Sequence, residues 1–185
     1  VRTVFGHGPG ISPECEALAV AYGFCYARIL GGGQRRSLLI GRDPRPTGEA
    51  LGKALIRGFL AGAAVSGLTL EVLDLGIITT PLAQTAVRSL NTDGGVMITA
   101  SHNPIDHNGF KFLTGCSHSS DADTAPAGAL LSAAAMENVI EGVADLSRGN
   151  SFAALAGRVA DVRDNAMQAA MSSDQHEAPR VKAER

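Results

Sequence analysis

The sequence predicts an α/β fold: a three-layer α/β/α domain on a mixed, mainly parallel sheet, with a helical or frayed C-terminal extension. Three observations predict it. Short apolar runs end at turn residues, segments of helical length and period lie between them, and the two kinds alternate as far as Gly115. Such alternation builds parallel neighbours joined by right-handed crossovers.

Taken in order, Ser12-Pro13-Glu14 opens the first helix, with serine as N-cap and proline at the first helical position. Leu18, Tyr22, Cys25 and Ile29 then recur at three- and four-residue steps as far as Leu30. Ser37 to Gly41 is the first strand, closed by glycine and then Asp43-Pro44. Thr47 to Val65 is a second helix, with Thr47 expected to cap it and Leu51, Leu55, Ile56, Phe59 and Leu60 as its apolar stripe. Leu68 to Leu75 is a strand that stops at Gly76, and Pro81 to Leu90 a shorter helix closed near Asn91. Gly95 to Thr99 and Gly109 to Leu113 are the remaining strands. The short loop between them implies that the last lies antiparallel or at an edge. Beyond Gly115 the chain turns rich in Ser, Asp and Ala, with helices expected over Ala127 to Ile140 and over residues 153–171. The polar stretch Ser172 to Arg185 reads as a frayed end or linker.

Composition narrows the function classes. The 185 residues are 45% hydrophobic and 18% charged, with 16 Lys and Arg against 18 Asp and Glu. A net charge of -2 offers no basic footprint for nucleic acid or an anionic membrane. The richest apolar stretch, Ala54 to Leu70, carries Arg57 and several glycines and falls short of the roughly 20 residues that span a bilayer. Three cysteines at unrelated spacings indicate neither a disulfide framework nor a zinc site. A cytoplasmic location is expected. The first residue is Val, so a cut end is expected too.

Three clusters could carry chemistry. Thr99-Ala100-Ser101-His102-Asn103-Pro104 follows a strand directly, and ligands of open α/β sheets sit beyond the carboxyl ends of strands. The same residues are turn formers and, by themselves, read as a turn before they read as a site. His102 and His107 flank Pro104 and share no helix face, which argues against a metal pair. Gly41-Arg42-Asp43-Pro44-Arg45-Pro46-Thr47 sets two guanidiniums near a helix N-terminus, a chemistry suited to anionic oxygens, or else a capped loop with an internal Arg-Asp pair. Lys111 follows Asn108-Gly109 and could act on a phosphoryl group as a point charge or as an acid or base.

The order of these clusters is more specific than any one of them. Thr99 to Pro104 with Asn108-Gly109-Phe110-Lys111 resembles the serine loop of the α-D-phosphohexomutases, the family of phosphomannomutase and phosphoglucomutase. Gly41 to Gly48 is similar to that family's G-R-D-x-R-x-S/T-G segment, and Asp74 to Pro81 to its D-x-G-x-x-x-T-P turn. Val1 to Gly6 resembles the tail of D-I-R-G-x-x-G. The resemblance implies phosphoryl transfer between C1 and C6 of a hexose phosphate through a bisphosphate. It implies that Ser101 carries the phosphoryl group, with Lys111, His102 and Arg2 as catalytic partners. It places Asn103, Arg42 and Arg45 on substrate or phosphate, and Mg2+ on the phosphate of Ser101.

Departures from the family pattern are expected to matter. Thr3 stands where the family has glycine, and His107 where it commonly has an aromatic residue. Neither a D-G-D-G-D-R metal loop nor a G-E-x-S-G-H sugar loop occurs in the sequence. The expectation is therefore a first domain over residues 1–145, with a helical linker or the start of a truncated second domain over 146–185. Its partners would be a hexose phosphate and the family's domains II to IV, and it would be inactive alone. The alternative is a catalytically dead remnant or binding module that keeps the fold. Thr99-Ala100 and Phe110 lean toward phosphomannose and phosphoglucose over phosphoglucosamine.

Overall fold

The computed structural model describes residues 2–30, 34–116 and 125–148. In chain order its elements are β1 (Arg2–Val4), α1 (Pro13–Arg28), β2 (Arg35–Arg42), α2 (Gly48–Val65), β3 (Thr69–Ile77), α3 (Thr80–Ser89), β4 (Gly94–Ile98), β5 (His107–Thr114) and α4 (Ala133–Ser147). The five strands form one sheet in the order β1-β5-β4-β2-β3. β2 runs parallel to both β3 and β4, while β5 is antiparallel to β4 and to β1. The sheet is mixed, as the sequence implied, and half of these pairings are antiparallel. That share rises because Arg2–Val4 adds a strand too short to announce itself. β5 is antiparallel as expected, but interior, since β1 covers its outer edge.

Two apolar layers enclose the sheet. Leu38, Ile40, Val96, Ile98, Phe110 and Phe112 face α1, α2 and α4, while Leu39, Met97 and Leu113 meet Ala83 and Val87 of α3 on the other side. The period-two alternation along β2, β4 and β5 sends successive side chains to opposite layers. α1 is buried without interruption from Ala19 to Ala27. Its backbone lies directly on α2: a Cβ added at Gly58 would sit 2.1 Å from the Val20 carbonyl oxygen, and one at Gly23 2.4 Å from that of Leu55.

Helix starts follow local chemistry with two exceptions. The Ser12 hydroxyl accepts from the Cys15 N–H and caps α1, and Thr79 does the same for Leu82 at α3. Asn91, at φ 52, closes α3 in the left-handed region. The Thr47 hydroxyl does not cap α2. It accepts instead from Nδ2 of the buried Asn108 at 3.1 Å, tying β5 to α2. The helix expected from Ala127 begins only at Ala133, under a Ser132 cap, and runs to Ser147. Gly128 at φ 78 and the bridge from Leu130 to Leu113 occupy the preceding residues in a turn. The helix expected over 153–171 lies outside the described residues.

Candidate active site

β2 and β4 are parallel neighbours, with Arg42 opposite Ile98, so the segments that follow them leave the same edge of the sheet side by side. The Asp43 N–H donates to the Ile98 carbonyl at 3.0 Å and joins the two exits. β5 returns antiparallel to β4, and β1 pairs with its beginning, Arg2 opposite Gly109. Thr3 sits opposite Asn108 within that strand. Extended backbone suits threonine, so the glycine of the family pattern is not needed for the strand.

Ser101 stands at φ 56. That left-handed conformation costs a side-chain-bearing residue about 1–2 kcal/mol, so the surroundings must hold it. The Ser101 N–H donates to the Thr99 hydroxyl at 2.9 Å, and that hydroxyl donates to Oδ2 of Asp43 at 2.6 Å. Nη2 of Arg2 donates to the Ser101 hydroxyl oxygen at 3.3 Å. The serine is half-buried and points its oxygen to an exposed cation.

Arg45 makes the internal Arg-Asp pair that the sequence offered as one alternative, and adds an occupation that its sequence position did not suggest. It is buried, at 8% exposure. Its backbone N–H and Nε donate to the Asp43 carboxylate, both at 3.1 Å. Nη1 donates to the carbonyls of Pro104 and, at 2.9 Å, His107. Nη2 donates to those of Ser101 at 3.1 Å and Asn103 at 2.7 Å. A guanidinium has five N–H groups, and all five have acceptors here. The sequence expectation set Arg45 on substrate or phosphate; its side-chain donors here face Asp43 and the serine loop.

The other expected residues fall into two openings. Lys111 lies opposite Met97 and lines a groove of about 470 Å³ with Arg2, walled by Phe110, Phe112 and Met136. Arg2 thus belongs both to the serine and to the lysine groove. Arg42 is half-buried and lines a separate groove of about 360 Å³ with Lys53, Glu49 and Asp74. His102 is exposed, and Asn103 faces Arg45 through its carbonyl. Asp106, whose side chain sits 3.0 Å from the His107 ring nitrogen, is held below its ordinary carboxylate range by that contact.

Asp43, Thr99 and Asn108 lie within the sequence motifs, but nothing in the motifs marks the work they do in the site. The available signal for Thr99 is its hydroxyl two residues before the serine, a spacing at which Ser and Thr bond the backbone locally. A magnesium ion fits poorly among the described residues. They contain no group of three or more His, Cys, Asp or Glu able to hold a metal. Asp43 already accepts from Arg45 and Thr99.

Residues 3–126 match the family model described as phosphoglucomutase/phosphomannomutase, alpha/beta/alpha domain I. A phosphoglucomutase/phosphomannomutase of Thermococcus kodakarensis is 41% identical over 105 residues, 56% of this chain and 21% of the relative. A phosphoglucosamine mutase of Lactobacillus gasseri is 39% identical over 105 residues, 56% of this chain and 22% of the relative. Both names occur at similar identity, so the match favours neither sugar. A phosphoglucomutase/phosphomannomutase family protein of Burkholderia thailandensis has the same fold, with a TM-score of 0.55 at 23% identity over 80% of this chain and 29% of that one. The chain spans about a fifth of the length of the curated relatives it matches.

Proposed function

The chain belongs to the phosphoglucomutase/phosphomannomutase family through its alpha/beta/alpha domain I, and from that premise we propose that it is the serine-bearing part of a phosphohexomutase. In this reading phosphorylated Ser101 gives its phosphoryl group to a free hydroxyl of a hexose phosphate. The Oγ–P bond breaks, a sugar O–P bond forms, and the hydroxyl proton leaves to a base. The bisphosphate reorients and returns its other phosphoryl group to Ser101, so the net change is a move between C1 and C6.

A phosphoserine adds about 1.5 to 2 negative charges, and phosphoryl transfer depends chiefly on positioning and charge neutralisation. Arg2 meets the first need for charge, since its Nη2 already reaches the Ser101 oxygen. That contact, on a serine held left-handed where the chain leaves β4, is the observation that carries the reading. Lys111 supplies charge or moves the proton from the same groove, His102 acts as a catalytic partner beside Ser101, and Asn103 and Arg42 serve the sugar phosphate. In the same reading residues 1–145 form the serine-bearing domain and 146–185 a helical linker or the start of a second domain.

The test is uptake of a phosphoryl group by the 185-residue chain from glucose 1,6-bisphosphate, followed by intact mass and peptide mapping. One group on Ser101, and none on Ser101→Ala, is the expected result. A wild-type chain that takes up none, or a Ser101→Ala chain that gains as much, overturns the carrier role. In a coupled assay the 185 residues by themselves are expected to show negligible mutase turnover, and ordinary turnover would refute that expectation. A second reading, a domain that binds sugar phosphate without catalysis, rests on the groove lined by Arg42 and Lys53, whose lining does not include Ser101. That reading would stand if the chain bound hexose phosphate yet never gained a phosphoryl group.

A further inference from the structure

Ser101 adopts a conformation that L residues avoid, so some group must select it over the ordinary alternatives. The contacts of Arg2 cannot do so, because Arg2 touches the end of the side chain and is itself exposed. Helix and strand ladders cannot do so either: the loop lies between β4 and β5, outside both. What remains is a polar frame. From below, Asp43 accepts from Thr99, whose oxygen accepts from the Ser101 N–H. From the side, Arg45 gathers the carbonyls of Ser101, Asn103, Pro104 and His107 onto one planar fork. Asp43 joins the two halves, because the same carboxylate takes Nε of Arg45.

The chemistry of the fork explains why an arginine is needed. Four carbonyls spread over seven residues must be met by donors in one plane while the charge is balanced by one carboxylate. Guanidinium presents five N–H groups in fixed directions, whereas an ammonium presents three on a flexible stem. Charge-assisted bonds of this kind are stronger than neutral ones, and here they converge on backbone that would otherwise relax. Groups held this way keep a nucleophile near its reacting geometry, where a small misplacement is costly in rate.

We propose that Arg45 is the positioning residue of this site, holding the loop from Ser101 to His107 so that Ser101 stays left-handed and presents its oxygen to Arg2 and to the phosphoryl donor. The role rests on Ser101 being the phosphoryl carrier. It differs from a phosphate-binding role, because Arg45 reaches the Ser101 carbonyl and not its hydroxyl, and it does not line the opening of Arg2 and Lys111.

The experiment uses the full 185-residue chain and two independent readouts. The first is hydrogen exchange. In Arg45→Lys, which keeps the charge and loses the fork, the amides of residues 101–107 should exchange roughly ten- to a hundredfold faster, the size of one or two lost charged hydrogen bonds. Amides in the middle of α2 and β4 should keep their protection. The second readout is phosphoryl uptake from glucose 1,6-bisphosphate, which should slow by a similar factor. Unchanged loop exchange together with unchanged uptake would overturn the proposal and leave charge alone as the requirement. Should Arg45→Lys fail to fold, the wild-type chain still decides. The Arg45 guanidinium protons should exchange far more slowly than those of the exposed Arg35, and equal rates would overturn the clamp. If the wild-type chain takes up no phosphoryl group, the carrier role fails by itself, while the exchange data still judge the clamp.

Discussion

Where β4 begins, a buried phenol holds the sheet together; where β4 ends, a buried guanidinium holds the serine loop. Tyr26, 1% exposed, donates to the Leu113 carbonyl at 2.7 Å and accepts from the Gly95 N–H at 3.0 Å. Its ring packs on Phe112 and Phe59, with centroids 4.7 and 6.1 Å away. The fit is close enough that a Cβ at Gly94 would lie 2.2 Å from the phenol oxygen. Arg45 likewise binds backbone carbonyls from a buried position, but its loop leaves Ile105 exposed and contains a strained residue. Both side chains bind backbone groups. The phenol does so inside a core that is already rigid, and the arginine does so where rigidity has to be made. The comparison separates stability from positioning within one small domain.

Breaking the first end should produce the largest effect. Tyr26→Ala removes a fully buried aromatic ring and should lower stability by about 3–5 kcal/mol, read from the urea midpoint. Tyr26→Phe keeps the ring, removes the buried hydrogen bonds of the phenol to Leu113 and Gly95, and should cost about 1–3 kcal/mol. If the comparison holds, exchange in residues 101–107 of folded Tyr26→Phe stays as in the wild type.

Thr99→Val comes next. It deletes the hydroxyl between Asp43 and Ser101 and should cost about 2 kcal/mol, with phosphoryl uptake falling more than the stability change alone would suggest. A parallel loss of both would place Thr99 with Tyr26 as a purely structural residue.

A smaller effect concerns Cys25. Burial raises its thiol from 9.0 to about 11, so the folded state binds that proton more tightly than the unfolded one. Stability from this group is full below pH 9.0 and is lost as pH rises toward about 11. In the folded protein near pH 8, alkylation mapped by mass spectrometry should reach the half-exposed Cys15 well before Cys25. Equal labelling would show that α1 opens more readily than its burial implies.

The smallest effect belongs to the rim of the site. His107 lowers the Asp106 carboxyl below its ordinary 3.8. That contribution is present above 3.8 and is lost as acid brings the pH down through the folded value. Asp106→Asn should leave neutral-pH stability almost unchanged and slightly flatten the acid limb of a pH titration.

Much of the fold, and the place of the site, is legible in the amino-acid sequence. Ser12-Pro13 marks a helix start because the capping chemistry lies within three residues. Runs such as Ser37 to Gly41 mark strands, because apolar residues bounded by turn formers are local facts. The serine loop is visible as an ordered set of motifs. What fails to show is non-local. β1 is three residues long and is a strand only because β5 lies beside it. Thr47 reads as a cap, yet its hydroxyl serves Asn108 from 61 residues away. The turn at Gly128 displaces a helix whose alanines are good formers, since the Leu130 bridge to Leu113 prevails over propensity.

By itself the sequence determined the alternation of strands and helices, the capping of α1, and the place of Ser101 at the end of a strand. Each depends on residues within a turn or two of one another. Only the tertiary structure decided what Arg45 does. Its acceptors on the serine loop lie 56 to 62 residues further along the chain. They come within reach because β2 and β4 pair in parallel and end together. The direction in which a guanidinium points is set by carbonyls that the fold brings to it, and no spacing along the chain records that direction.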